Sequence, residues 1–315
     1  MFGYRQELAS AHVNDARAWI SMRGEEPDVD RAAPGIVGAK AAPDRPVVLH
    51  DVCKKVIGDY IPSQNQPRGT CTSRGLKRDL DVMQCVMIGA GAPLVFKQTN
   101  HAIIYGLGRE IAGMLGGNPN NENDDGCTGA AVGRGAVQGG ELTYEDTTEP
   151  GDNENSDTLA CQYGARGVPT EYKAKAKNHL VKNMAQVKTT DQGRDLIVNG
   201  YGFTVASNVG FMGIRSSRSV MFTRDSNGRA HRGGTWSHQM TVQGWTPDLA
   251  GDGECFLVDQ SWGPGEPDGP IGPIPIPSYS FWILKKDLAA MLAQDDSWTF
   301  SGFDGWPADL IHWLI

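Results

Sequence analysis

No run of about 18 apolar residues occurs anywhere in the chain, so a conventional membrane-spanning helix is excluded. Long Lys/Arg tracts are also missing, and the formal net charge is -8. A nucleic-acid binder needs a basic footprint to release counterions, so nucleic acid is not expected as the main partner. Arg215 and Arg218, in RSSRS, form a local basic patch short enough to be ordinary surface. The opening MFGYRQELASAHVNDARAW lacks the apolar core of a signal peptide. Six cysteines, at 53, 71, 85, 127, 161 and 255, form no CxxC pair and no dense framework, which points to a reducing cytoplasm and mostly inert thiols. The histidines form no HExxH or Cys/His cluster, and the acidic stretches GNPNNENDDG and GDNENSD miss the spacing of a calcium loop. No metal or other cofactor is therefore expected.

What is present is 315 residues, enough for one large domain or two lobes sharing a core. Residues 1–45 read as an extension: a helical piece from about Arg5 to Met22, then GEEPDVDRAAPGIVGAKAAPDRP, too rich in Pro, Gly and Ala to form a core. Such an arm can wrap the body, bind a partner in a homo- or hetero-assembly, or be a cleavable pro-segment. Residues 46–185 carry the helical signals. In CTSRGLKRDLDVMQCVMIGAG, Leu76, Leu80, Met83 and Met87 share one apolar face, with Thr70 as N-cap; IIYGLGREIAGML and TLACQYGAR follow. In residues 186–315 the period changes, and LIVNGYGFTVASNV, SVMFTR, WSHQMTVQGW and GECFLVDQSWG read as short strands. SYSFWILKKDLAAML begins as a strand and becomes a helix. An α-rich half followed by a β-rich half predicts two lobes with a cleft between them.

Four positions carry candidate chemistry. Cys71 falls in the first turn of a predicted helix, where unpaired N–H groups and the helix dipole favour a thiolate. Trp236, His238, Met240 and Val242 share one face of a predicted strand, while Ser237, Gln239, Thr241 and Gln243 take the other. An imidazole on that apolar face is either a satisfied core group or a base able to take a thiol proton. A strand ending in Asp259-Gln260 can offer an amide oxygen to the other ring N–H, with Trp262 shielding that bond from water. Gln66, with Gln64 as a competitor, can join the Cys71 N–H in stabilising a developing oxyanion. His101 and His231 are alternative bases without the same context. The remaining cysteines have no neighbouring base suggested by sequence.

In this order, QNQPRGTC, SHQMTVQGW and FLVDQSWGPG resemble the papain-like cysteine peptidases, over roughly residues 47–305, and the tail resembles shortened bacterial or phage members. That resemblance implies an α+β fold, a helical lobe carrying Cys71 and an antiparallel, β-barrel-like lobe carrying His238, with an extended polypeptide bound in the cleft between them. It implies hydrolysis of a peptide or isopeptide bond through a thioester acyl-enzyme, with Gln66 at the oxyanion and Gln260 orienting His238. Three departures stand out: Gln260 replaces the usual Asn, Gln66 lies one residue closer to the cysteine than is usual, and Thr72 replaces an aromatic residue. Two other functions compatible with these residues are an inactive structural relative, such as a virion component made in the cytoplasm, and a cell-wall amidase or endopeptidase. A Cys71 locked beneath the N-terminal arm would make the chain a zymogen.

Overall fold

The computed structural model describes residues 3–38, 43–116, 125–147, 157–178, 181–211 and 222–312. Arg215, Arg218 and most of the two acidic stretches lie outside the described residues. The elements run α1 (Gln6–Met22), α2 (Val29–Ala32), β1 (Val47–Val48), α3 (His50–Ile57), α4 (Cys71–Gly89), α5 (His101–Ile111), α6 (Gly129–Gly139), α7 (Thr158–Arg166), α8 (Thr170–Ala176), β2 (Asn183–Gln186), α9 (Thr190–Val198), β3 (Phe203–Phe211), β4 (Arg232–Thr246), β5 (Cys255–Asp259), β6 (Ser280–Leu284), α10 (Lys285–Leu292) and β7 (Asp296–Ser301). The strands form one antiparallel sheet in the order β2-β7-β3-β4-β5-β6, with β1 pairing on β4. The result is a mixed α+β fold with a helical half and a sheet half, as the order of sequence signals predicts.

Helix α4 joins the halves. Val82, Cys85 and Val86 enter the core beneath the sheet, while Leu76, Leu80, Met83 and Met87 enter the core between the helices. The apolar stripe predicts a helix with one wet face, yet every residue from Cys71 to Met87 is buried. The polar face is covered by β4, whose alternate side chains dock along it. Gln239 Nε2 donates to the Thr72 carbonyl at 2.9 Å, Thr241 Oγ1 to the Gly75 carbonyl at 2.6 Å and Gln243 Nε2 to Asp79 at 2.9 Å. Gly75 permits this approach, because a Cβ there would lie 3.1 Å from Gln239 Cγ.

Two expectations need correction. The segment before residue 45 does contribute to both cores: Val13, Ala16 and Ile20 join the helical one, and Val29, Ala33 and Ile36 join the other. Burying such a side chain stabilises by about 2 kcal/mol, so the arm is held by ordinary packing. LIVNGYGFTVASNV is not all strand either, since Leu196–Val198 closes α9 and β3 begins at Phe203. A reciprocal capping box between Thr189 and Gln192 nucleates α9 and outweighs the β preference of Ile197 and Val198.

Candidate functional site

Cys71 is the first residue of α4 and is fully buried. Thr70 precedes the helix as predicted, but its side chain does not cap it; Thr70 Oγ1 donates instead to Asp157 at 2.7 Å. The same carboxylate accepts from Arg68 N at 2.9 Å, Arg74 Nη2 at 2.8 Å and His101 Nε2 at 3.0 Å. Asp157 therefore organises the loop that delivers Cys71, while His101 is used up between Asp157 and Tyr144. His231 lies at the surface on Asp225.

The helix start does not produce a thiolate here. Burial pushes the Cys71 thiol up to about 12, against the opposing pull of backbone N–H groups from Gln239, Gly3 and Thr72. His238 is also fully buried, and burial lowers its imidazole to about 3. Neither His238 ring nitrogen has a hydrogen-bond partner. The ring stacks on Trp262 instead, with centroids 3.9 Å apart and planes 22° from parallel. The backbone N–H of Gln239, the residue after His238, reaches the Cys71 thiol, and burial keeps both Cys71 and His238 neutral.

The candidate glutamines are committed to other partners. Gln260 Nε2 donates to the Gly263 carbonyl at 2.5 Å and its Oε1 accepts from Trp262 N, so both ends of the amide close their own turn rather than reaching His238. One more methylene than asparagine lets the amide fold back in this way. Gln66 accepts from Ser261 Oγ at 2.6 Å and donates to the Arg68 carbonyl at 2.6 Å. Gln64 donates to the Arg74 carbonyl at 3.2 Å, and its Oε1 is buried without a partner.

Over Cys71 lies the beginning of the chain. Cys127 N donates to the Gly3 carbonyl at 2.8 Å, Arg5 N to the Cys127 carbonyl at 2.9 Å, and Tyr4 N to the Ser237 carbonyl at 3.3 Å. Residues 3–5 therefore bind main chain on both sides, at Cys127 on the helical half and beside His238 on the sheet. Tyr4 is buried and packs with Cys71 and Ala206. Gly3 passes so close to Gly69 that any Cβ there would overlap the Gly69 carbonyl. Gly69 N is in turn held by Asp125 at 2.6 Å. Sequence reading missed the roles of Tyr4, Asp125, Asp157 and Gln239, because each depends on partners at least 56 residues away.

Among the described residues, no group of three or more His, Cys, Asp or Glu side chains is arranged to hold a metal ion, and no helix is long and apolar enough to cross a membrane. No protein-family model and no curated protein matches the sequence. Similar folds are found among solved structures. Xylellain, a cysteine protease from Xylella fastidiosa, is 15% identical with a TM-score of 0.51, over 83% of this chain and 87% of that one. Digestive procathepsin L 3 of the Tenebrio molitor larval midgut is 10% identical with a TM-score of 0.52, over 91% of this chain and 79% of that one. At these identities the likeness is one of fold, and the chain has the two-lobe, papain-like fold of these proteins.

Proposed function

We propose that this protein is a thiol peptidase, with Cys71 as nucleophile and His238 as base, held latent by residues 3–5 of its own chain. The observation that carries the reading is the polypeptide already seated over Cys71, bound through its backbone to Cys127 and Ser237. A cleft that grips main chain from both sides beside a helix-terminal cysteine is suited to peptide substrates. Occupation of that cleft also accounts for the neutral pair. When residues 3–5 leave, water reaches both groups, the desolvation that raises one pKa and lowers the other is relieved, and the proton can pass from Cys71 to His238.

Cys71 Sγ then attacks the carbonyl carbon of the scissile bond, giving a tetrahedral oxyanion that the Cys71 N–H and the Gln66 amide stabilise. Collapse breaks the C–N bond, His238 returns its proton to the departing amine, and a thioester remains. Water adds to the thioester with His238 as base, releasing the acid and restoring the thiol. In this reading Trp262 holds the imidazole plane by stacking, and Gln260 acts indirectly by shaping the turn that carries Trp262.

A second reading, an inert protein of the same fold, draws on the absence of a Cys71–His238 hydrogen bond and the inward-folded Gln260 amide. One experiment separates the two. The full chain and its Gly3→Val, Gly3→Val/Cys71→Ala and Gly3→Val/His238→Ala variants are treated with a peptidyl epoxide and mapped by mass spectrometry. Valine cannot fit against Gly69, so Gly3→Val is expected to label at Cys71 at least about ten-fold faster than the parent chain, equivalent to about 1.4 kcal/mol. The His238→Ala change should slow it strongly. A folded Gly3→Val protein that leaves Cys71 unmodified would sink the peptidase reading.

A further inference from the structure

The place occupied by the Tyr4 side chain has a chemical character of its own. Tyr4 packs on Ala206 of β3. Ala206 pairs with Gln239 on one neighbouring strand and with Asp296 on the other. Directly paired residues in an antiparallel sheet project to the same face, so Gln239, Ala206 and Asp296 form a row beneath Tyr4.

The two polar members of that row converge. A Cβ placed on Gly129 would meet Asp296 Oδ1 at 2.8 Å and Gln239 Oε1 at 2.9 Å, so both oxygens close on one point beside the Gly129 backbone. Gln239 turns its Nε2 to the Thr72 carbonyl and leaves Oε1 buried with no partner. Asp296 is completely buried and accepts from Gly129 N at 2.8 Å, Ala130 N at 2.7 Å and Trp298 Nε1 at 2.8 Å. A carboxylate has about four acceptor sites, so one remains open on Oδ2, which takes only the Gly129 bond, while the Oδ1 that closes on Gln239 already accepts from Ala130 and Trp298. The Tyr4 hydroxyl is itself buried without a hydrogen-bond partner. The row thus offers spare acceptors, at Gln239 Oε1 and on Asp296, in a site where an unmade hydrogen bond is costly.

We infer that this row, with Asp296 at its end, is a specificity pocket that selects a basic side chain, arginine or lysine, in the peptide bound across Cys71. The inference rests on the peptidase reading for its substrate but not for its pocket. A cation donates to the acceptors that Tyr4 leaves unmet and neutralises the buried carboxylate. A leucine or phenylalanine fills the space and leaves both acceptors unmet.

The test uses the full-length Gly3→Val chain and dipeptidyl epoxides bearing Arg, Lys, Phe or Leu at each of the two positions in turn. At one position Arg and Lys probes should label Cys71 about ten-fold or more faster than the Leu probe, and Gly3→Val/Asp296→Asn should bring that ratio close to one. Equal rates, or a preference for Leu or Phe at both positions, would overturn the pocket and leave the peptidase intact. If no probe labels Cys71, the peptidase reading fails by itself, and melting temperatures of full-length Tyr4→Arg and Tyr4→Leu decide the pocket. An acceptor-rich pocket keeps Tyr4→Arg at least as stable as Tyr4→Leu, and loses that advantage when Asp296→Asn is added. An indifferent apolar pocket makes Tyr4→Arg clearly the less stable, because it buries an unpaired charge, and that result would overturn the inference.

Discussion

At Cys71, three backbone N–H groups and a helix start favour the thiolate, and complete burial overrides them. Burial dominates equally at Asp79, on α4, whose carboxyl is raised to about 8 and whose one opposing influence is the Gln243 amide. An acid with a raised folded pKa is destabilising once the unfolded chain can ionise. The cost is absent below pH about 4, grows as pH rises, and is complete above the folded value near 8. Asp79→Asn is therefore expected to raise the melting temperature by several degrees at pH 8 and by much less at pH 5, measured by scanning calorimetry. A gain equal at both pH values would mean that ionisation of Asp79 is not the cause. The places of Cys71 at a helix start, His238 on a strand and Gln260 at a strand end were legible from local sequence, since helix starts, strand alternation and turn residues are local properties. Their charge states and the direction of the Gln260 amide could not, because these follow from burial and from distant partners.

Among the elements, α4 depends most on contacts across the fold. Its buried Arg74 is paired with Asp157, just before α7, at 2.8 Å, and His101 of α5 meets the same oxygen at 3.0 Å. The pairing holds the Asp157 carboxyl down at about 2 despite its burial. A lowered pKa gives stability that is fully present above the unfolded value near 4 and is lost as pH falls towards 2. Removing one partner of a buried ion pair costs about 3–5 kcal/mol, so Asp157→Ala should lower the urea midpoint substantially at pH 7. The difference from the parent chain should shrink as pH falls towards 3. A pH-independent loss would point to packing rather than charge. The periodicity of α4 was legible, but the fate of its polar face was not, because charged residues at helical spacing look the same whether water or a strand covers them. For α9 the capping signal and the β-branched run disagreed, and the cap prevailed.

Over the whole molecule, α4 belongs to two cores that would otherwise be separate. Neither core can lose α4 and keep its interior covered, so thermal unfolding should be one cooperative transition with equal calorimetric and van't Hoff enthalpies. Two resolved transitions would show that the lobes are energetically independent. The arm from α1 to Ile36 is stitched to the body as well, through Lys188 paired with Asp28 and the bridge from Asp28 to Gln186. It should therefore unfold with the rest. By itself the sequence determined the α-then-β order, the helix that begins at Cys71, the strand that carries His238 and the turn at Gln260, because periodicity and capping act over a few residues. Only the tertiary structure decided that the arm packs into both cores, that β4 covers the polar side of α4, and that Gly3 to Arg5 lie over Cys71. Those outcomes depend on which distant surfaces exclude water together, and no local pattern encodes that.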